Sequence, residues 1–142
     1  MKVGIYAGTF NPFHIGHLNI YDKALQIFDM VVVCRGINPE KPLVNDPLPS
    51  IVGLNTLEYG GLTTDLLKRY IDEKHEPTLI RGIRNGYDYD YEMNQITVMR
   101  DIMPSLQVVL IPCDKEFSHI SSTMIRNLQI FDKKLAAKYL PK

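Results

Sequence analysis

The sequence predicts a single α/β domain, a mostly parallel five-stranded sheet with helices on both faces. Two observations carry this. Short apolar runs alternate along the chain with segments of helical period, the signature of strands joined by helices. The strand-like runs are continuously apolar, which suits a parallel sheet covered on both sides. At 142 residues the chain has the length of one domain and can bury a sizeable core.

Taken in order, residues 3–7 form a short apolar run that breaks at Gly8 and reads as a buried strand. Over 15–28, Leu18, Tyr21, Leu25 and Phe28 recur at three- and four-residue steps, the face of a helix. Residues 30–34 make a second apolar strand, and 38–54 hold Pro39, Pro42, Pro47 and Pro49 and read as irregular. A short strand is expected at 55–59. A helix follows at 64–74, with Leu66, Leu67, Tyr70 and Ile71 inward and Thr63 as N-cap. Residues 77–80 read as a strand, 90–102 as a helix stopped by Pro104, and 107–111 as a strand. Ser121 begins another helix, and 132–139 form a last one.

Composition narrows the partners. Sixteen Lys and Arg balance sixteen Asp and Glu, so the formal net charge is zero. That argues against a basic coat for nucleic acid and against a polybasic membrane anchor, though a local cationic pocket is permitted. Cys34 and Cys113 stand alone at the ends of apolar runs, a pattern of neither a disulfide scaffold nor a zinc site. No apolar stretch approaches the ~18–20 residues that cross a bilayer, and residues 1–6 lack the apolar region of a signal peptide. A cytoplasmic protein is the expectation.

In parallel α/β sheets, ligands bind beyond the carboxyl ends of the strands. The chemistry should therefore lie in 8–17, 35–41, 81–84 and 112–123. The first of these reads Gly8-Thr9-Phe10-Asn11-Pro12-Phe13-His14-Ile15-Gly16-His17. His14 and His17 are three apart, on one face of an opening helical turn. Gly16 leaves room for a ligand against the backbone, and the free N–H groups of a helix start suit phosphate. A capped helix with two surface histidines is the plain alternative. A zinc site is weak on His-x-x-His alone.

These residues resemble the HxGH signature of the nucleotidyltransferase superfamily related to class I aminoacyl-tRNA synthetases. The resemblance implies a Rossmann-like nucleotidyltransferase domain over 1–142, with both histidines around nucleoside triphosphate phosphates. Ile120-Ser121-Ser122-Thr123-Met124-Ile125-Arg126 is similar to the superfamily's second motif, ISSTxxR, which holds the β- and γ-phosphates. Leu79-Ile80-Arg81-Gly82-Ile83-Arg84, followed by Asp88 and Tyr91-Glu92, offers two guanidinium forks suited to phosphate oxygens. This RGxR…D…YE pattern is narrower and resembles the phosphopantetheine adenylyltransferases of coenzyme A synthesis.

That resemblance implies roles residue by residue. Thr9 and Phe10 contact ATP, and Thr9 the acceptor as well. His14 and His17 lie at the phosphates. His17, Lys41 and Arg84 are the catalytic set. Lys41, Leu67 and Arg81 bind the acceptor. Gly82, Ile83, Arg84 and Glu92 bind ATP, as do Phe117, Ser118, His119, Ile120, Ser121, Ser122 and Thr123. Mg²⁺ is expected as a cofactor, held mainly through ATP phosphates without a dedicated protein cage. A homo-oligomer, often a hexamer, is implied as well.

Three positions depart from the pattern, the first near the metal and phosphates and the other two on the acceptor side. Asn11 stands where the family usually has Asp. Residues 42–54 replace a helix carrying a TLEER-like sequence, and Pro47 and Pro49 there predict a loop or a shortened helix. Met99 stands where an Asn usually meets the pantetheine arm. Adenylyl transfer to 4′-phosphopantetheine, giving dephospho-coenzyme A and pyrophosphate, is the leading expectation. The alternatives are adenylyl transfer to nicotinamide or nicotinate mononucleotide, and a nucleotide-binding module without turnover. Lys41, Arg81, Arg84, His17 and two helix starts should gather positive potential at one sheet edge, with the compensating acids mostly elsewhere.

Overall fold

A computed structural model describes residues 1–38, 40 and 55–141. Five strands form one sheet: β1 (Lys2–Gly8), β2 (Met30–Ile37), β3 (Asn55–Gly60), β4 (Glu76–Ile83) and β5 (Val108–Pro112). All neighbours are parallel and the spatial order is β3-β2-β1-β4-β5. From β1 the chain builds outward through β2 and β3, then crosses to β4 and β5 on the other side. The order therefore reverses between β1 and β4, where a crevice opens at the carboxyl ends.

Alternation along each strand sorts its side chains to two cores. Val3, Ile5, Ala7, Val32, Cys34 and Leu79 pack under α2 (Thr63–Asp72), against Leu66 and Leu67, with Met103 and Leu106 at the margin. Tyr6, Val31, Val33, Ile80 and Ile111 pack on the opposite face, under α1 (Ile15–Ala24), against Ile20, Tyr21 and Ala24. The remaining helices are α3 (Gly86–Ile102), α4 (Ser122–Phe131) and α5 (Lys133–Ala137). α4 and α5 share a small third core of Ile120, Ile125 and Ala136. Among the described residues no helix is long and apolar enough to cross a membrane.

Several element ends differ from expectation. α1 stops at Ala24, so Leu25 lies in the following turn and is exposed. α2 begins at Thr63 itself. Its N-cap is Leu62, without a side-chain bond, and the Thr63 hydroxyl lies 3.0 Å from that of Tyr59. Ile71 faces outward on α2. α3 begins four residues before Asp90, because Asn85 Oδ1 accepts from the Asp88 N–H and caps a turn there. Ser121 is the N-cap of α4, and Asp132 caps α5. Both cysteines are free. Lys41 and the 42–54 segment lie outside the described residues.

Candidate active site

A cleft of about 490 Å³ lies over the carboxyl ends of β1 and β4, at the reversal of strand order. The loop between β1 and α1 forms one wall. Phe10 sits there at φ +46°, in the left-handed region that a bulky residue seldom occupies. The Asn11–Pro12 bond is cis. Phe10 and Phe13 turn inward and are buried.

His14 is the N-cap of α1. Its Nδ1 accepts from the Gly16 N–H at 3.0 Å and the His17 N–H at 3.4 Å. His17 Nδ1 accepts from the His14 N–H at 3.0 Å. The two imidazoles thus replace the Ser and Glu of a capping box. This bonding assigns the tautomers: with both Nδ1 atoms accepting, each neutral ring carries its proton on Nε2. The rings stack at 3.7 Å, and His17 also meets Phe10 at 4.9 Å and Phe13 at 5.2 Å.

That packing removes water, and burial, together with the nearby Arg84 charge, pushes the His14 imidazole down to about 4. Burial likewise holds His17 well below its ordinary value, helped by His14 and Arg84. Both histidines are neutral hydrogen-bond donors near pH 7. Gly16 has a different reason from the one expected. A Cβ there would lie 2.9 Å from His14 Cε1 and 3.0 Å from Nδ1, so the space belongs to the His14 ring.

The loop after β4 forms the facing wall. Arg81 Nε lies 2.7 Å from Glu92 Oε2, and its Nη2 donates to Oε1 at 2.9 Å. Glu92 is buried on α3. Arg84 donates to Asp88 through Nε at 3.0 Å and to the Ile120 carbonyl through Nη1 at 3.1 Å. Gly82 carries no side chain because Ile20 of α1 closes over it, 3.0 Å from where a Cβ would stand.

The third wall is the stretch before α4. Ser121 Oγ accepts from the Met124 N–H and caps the helix. Ser122 Oγ donates to the Pro12 carbonyl at 2.9 Å, and Arg126 donates to the Asn11 carbonyl and to Thr123 Oγ1. The two motifs, far apart in sequence, are bolted together by these bonds. A clip of Lys23 to Asp114 at 2.7 Å and Asn19 to Asp114 at 2.9 Å holds the chain after β5 against α1.

The cleft gathers Thr9, Phe10, His14, His17, Arg81, Gly82, Ile83, Arg84, Glu92, Phe117, Ile120, Ser121, Ser122 and Thr123. Other expected residues lie elsewhere. Ser118 turns its hydroxyl back onto the Lys115 carbonyl, and His119 is exposed outside the lining. Leu67 is 1% exposed in the core beneath the sheet, because it lies on the inward face of α2. Met99 packs against that same core rather than lining the cleft.

The expected separation of charges is corrected as well. Among the described lining residues, Asp88 and Glu92 sit directly on Arg84 and Arg81, and the histidines are neutral. Among the described residues, the charge of both lining arginines is therefore shared with a carboxylate.

Two residues at the cleft had no role assigned from the sequence, although the first of them opens the expected 35–41 segment. Arg35, at the end of β2, is 2% exposed and reaches under the β1–α1 loop. Tyr6 is buried on β1 and lines the floor of the cleft. Arg35 at the end of an apolar run was the available signal for a buried charge.

Comparison with known proteins agrees with this architecture. The Cytidylyltransferase-like family profile matches residues 5–51, the β1–α1–β2 unit and the segment after it. A phosphopantetheine adenylyltransferase from Mycoplasma capricolum is 33% identical over 94% of this chain and 100% of its own length. One from Brucella anthropi is 29% identical over 90% and 85%. A crystal structure from Vibrio parahaemolyticus, provisionally assigned as a nicotinate-nucleotide adenylyltransferase, shares the fold at TM-score 0.64. It is 24% identical and covers 99% of this chain and 94% of its own. With one third of its residues shared along the full length of such a relative, the chain belongs to the phosphopantetheine adenylyltransferase family.

Proposed function

We propose that the chain transfers the adenylyl group of ATP to 4′-phosphopantetheine, giving dephospho-coenzyme A and pyrophosphate. Adenylyl transfer is supported above all by the reciprocal capping of His14 and His17, which frees two Nε2–H donors beside the start of α4. The acceptor follows from the names of the relatives.

In this reading an oxygen of the acceptor phosphate forms a bond to the α-phosphorus of ATP. The bond from that phosphorus to the bridging oxygen breaks, and pyrophosphate leaves with the electron pair. The chain forms no covalent intermediate; it positions two polyanions and stabilises charge. His17 donates a hydrogen bond from Nε2–H to the α-phosphate without giving up its proton. The β- and γ-phosphates lie at the first turn of α4, on N–H groups of Ser122 and Thr123. Arg84 exchanges Asp88 and the Ile120 carbonyl for phosphate oxygens, and Arg81 meets the acceptor while Glu92 holds it. Lys41, outside the described residues, follows the charge onto pyrophosphate.

Mg²⁺ would be held mainly by the phosphates of ATP and would supply neutralisation of their charge. The donor set fits an ion carried by phosphate oxygens: among the described residues no group of three or more His, Cys, Asp or Glu side chains could hold a metal ion. We propose a homo-oligomer as well, a hexamer by family resemblance. Tyr87, Tyr91, Val98 and Ile102 leave an apolar stripe exposed along α3, which supports it. Light scattering in solution tests the mass.

The deciding assay is pyrophosphate release from Mg-ATP with phosphopantetheine, nicotinamide mononucleotide or glycerol phosphate, one at a time. Release with phosphopantetheine alone is the expected result. Release with the mononucleotide alone overturns the acceptor, and ATP binding without release for any acceptor favours a binding module.

A further inference from the structure

We propose that Arg35 is a positioning residue for adenylyl transfer: from beneath, it sets the orientation of the Thr9–Phe10–Asn11 backbone at the cleft. The inference rests on the proposed reaction but on different atoms. Arg35 stands at the carboxyl end of β2, in register with Gly8 of β1 on one side and Glu58 of β3 on the other. It shares a sheet face with Val31 and Val33 and is 2% exposed. A guanidinium buried this far must keep its N–H groups bonded.

Its fork grips two successive carbonyls. Nε donates to Thr9 O at 3.1 Å, and Nη2 donates to Phe10 O at 2.5 Å. Glu58 Oε1 lies 3.7 Å from Nη1 and adds a loose ionic contact. In a trans peptide the C=O and the following N–H point in opposite directions. Carbonyls drawn toward β2 therefore aim the Phe10 and Asn11 N–H groups away from it, to the side of β1 where the cleft opens. The same grip holds Phe10 at φ +46°, and the Phe10 ring in turn meets the edge of His17. Arg35 reaches the reacting phosphates only through this loop. Two carbonyls held by one rigid fork suit Arg and not Lys.

The test uses the full chain. Arg35→Met keeps bulk and deletes the fork, whereas Arg35→Lys keeps the charge with a single ammonium. In Arg35→Met, turnover should fall about 100-fold, the scale of a reacting group misplaced by an ångström. KM for ATP should move by no more than about threefold, and Arg35→Lys should fall between. The ¹⁵N order parameters of the Phe10 and Asn11 amides should drop from about 0.85 to below about 0.6, while those of β2 hold.

Parent-like turnover in folded Arg35→Met, or a loss that only tracks its unfolded fraction, overturns the proposal. If Arg35→Met does not fold, Arg35→Lys decides: about tenfold slower turnover at unchanged melting supports positioning, and parent-like turnover overturns it. If the parent itself releases no pyrophosphate with phosphopantetheine, the acceptor reading falls. The order parameters then decide Arg35 alone, and unchanged values overturn it.

Discussion

The loops after β1 and β4 line the same cleft but hold their side chains by different means. In the first, two neutral imidazoles accept backbone N–H groups, stack at 3.7 Å and sit among phenylalanines. In the second, two arginines are held by carboxylates at 2.7 and 3.0 Å, and the Arg84–Asp88 pair is partly solvated. The histidine wall is rigid and needs no change of charge to donate a hydrogen bond. The arginine wall keeps its charge in pairs that a phosphate can enter. A partly exposed ion pair is worth little in itself, so exchanging Asp88 for phosphate costs little. One wall therefore suits a fixed transition-state contact, and the other the capture of a ligand.

The sharpest way to break this contrast is at His17. His17→Ala should cut turnover about 10²–10³-fold, as expected for loss of one aligned donor, with ATP affinity nearly unchanged. Single-turnover rates and calorimetry read the two separately. Equal losses in both would make the histidine wall a binding surface like its neighbour.

Acid offers a second route. Burial places the folded His14 value near 4, below the ordinary 6.5, so on acidification the unfolded chain takes up its proton first. The contribution of His14 is whole above about 6.5 and is lost as pH falls toward about 4. It amounts to roughly 3 kcal/mol, and His17 acts in the same direction. Denaturant unfolding between pH 7 and 4 measures it, and His14→Gln should flatten the slope. Turnover should show no imidazole titration near pH 6.5, and a full loss of kcat there would overturn the neutral-donor assignment.

On the other wall, Arg81→Met leaves the buried Glu92 carboxylate without its cation. We expect a loss of about 2–3 kcal/mol, less than for a fully buried pair because Arg81 is partly solvated. Arg81→Met with Glu92→Gln should recover most of it, as read from denaturation midpoints. Gly16→Ala tests the reach of the histidine wall: the new Cβ meets the His14 ring at 2.9 Å and should cost about 1–2 kcal/mol and several-fold in turnover. The smallest effect is expected at Ser122→Ala, which removes the bond to Pro12 O and should lower stability by about 1 kcal/mol.

Much of this was legible in the residues themselves. Val31 to Val33 and Val3 to Ala7 announce buried strands because nothing polar interrupts them. Post-strand position then points to Gly8–His17 and Arg81–Arg84, since a parallel sheet exposes functional loops at its carboxyl edge. Local rules do not fix placement where partners lie far off in sequence. Leu67 fits an acceptor contact by motif, yet the rotation of α2 turns it into the core. Ser118 and His119 belong to the motif's run, yet a turn aims them out of the cleft.

By itself the sequence determined the strand order along the chain, the family, and the identity of the groups that meet at the carboxyl edge. Only the tertiary structure decided their state. Neutral histidines, arginines already paired to Glu92 and Asp88, and a buried Arg35 under the loop all depend on distances between residues remote in sequence. Burial and charge proximity are properties of the packed whole, and no local pattern of residues encodes them.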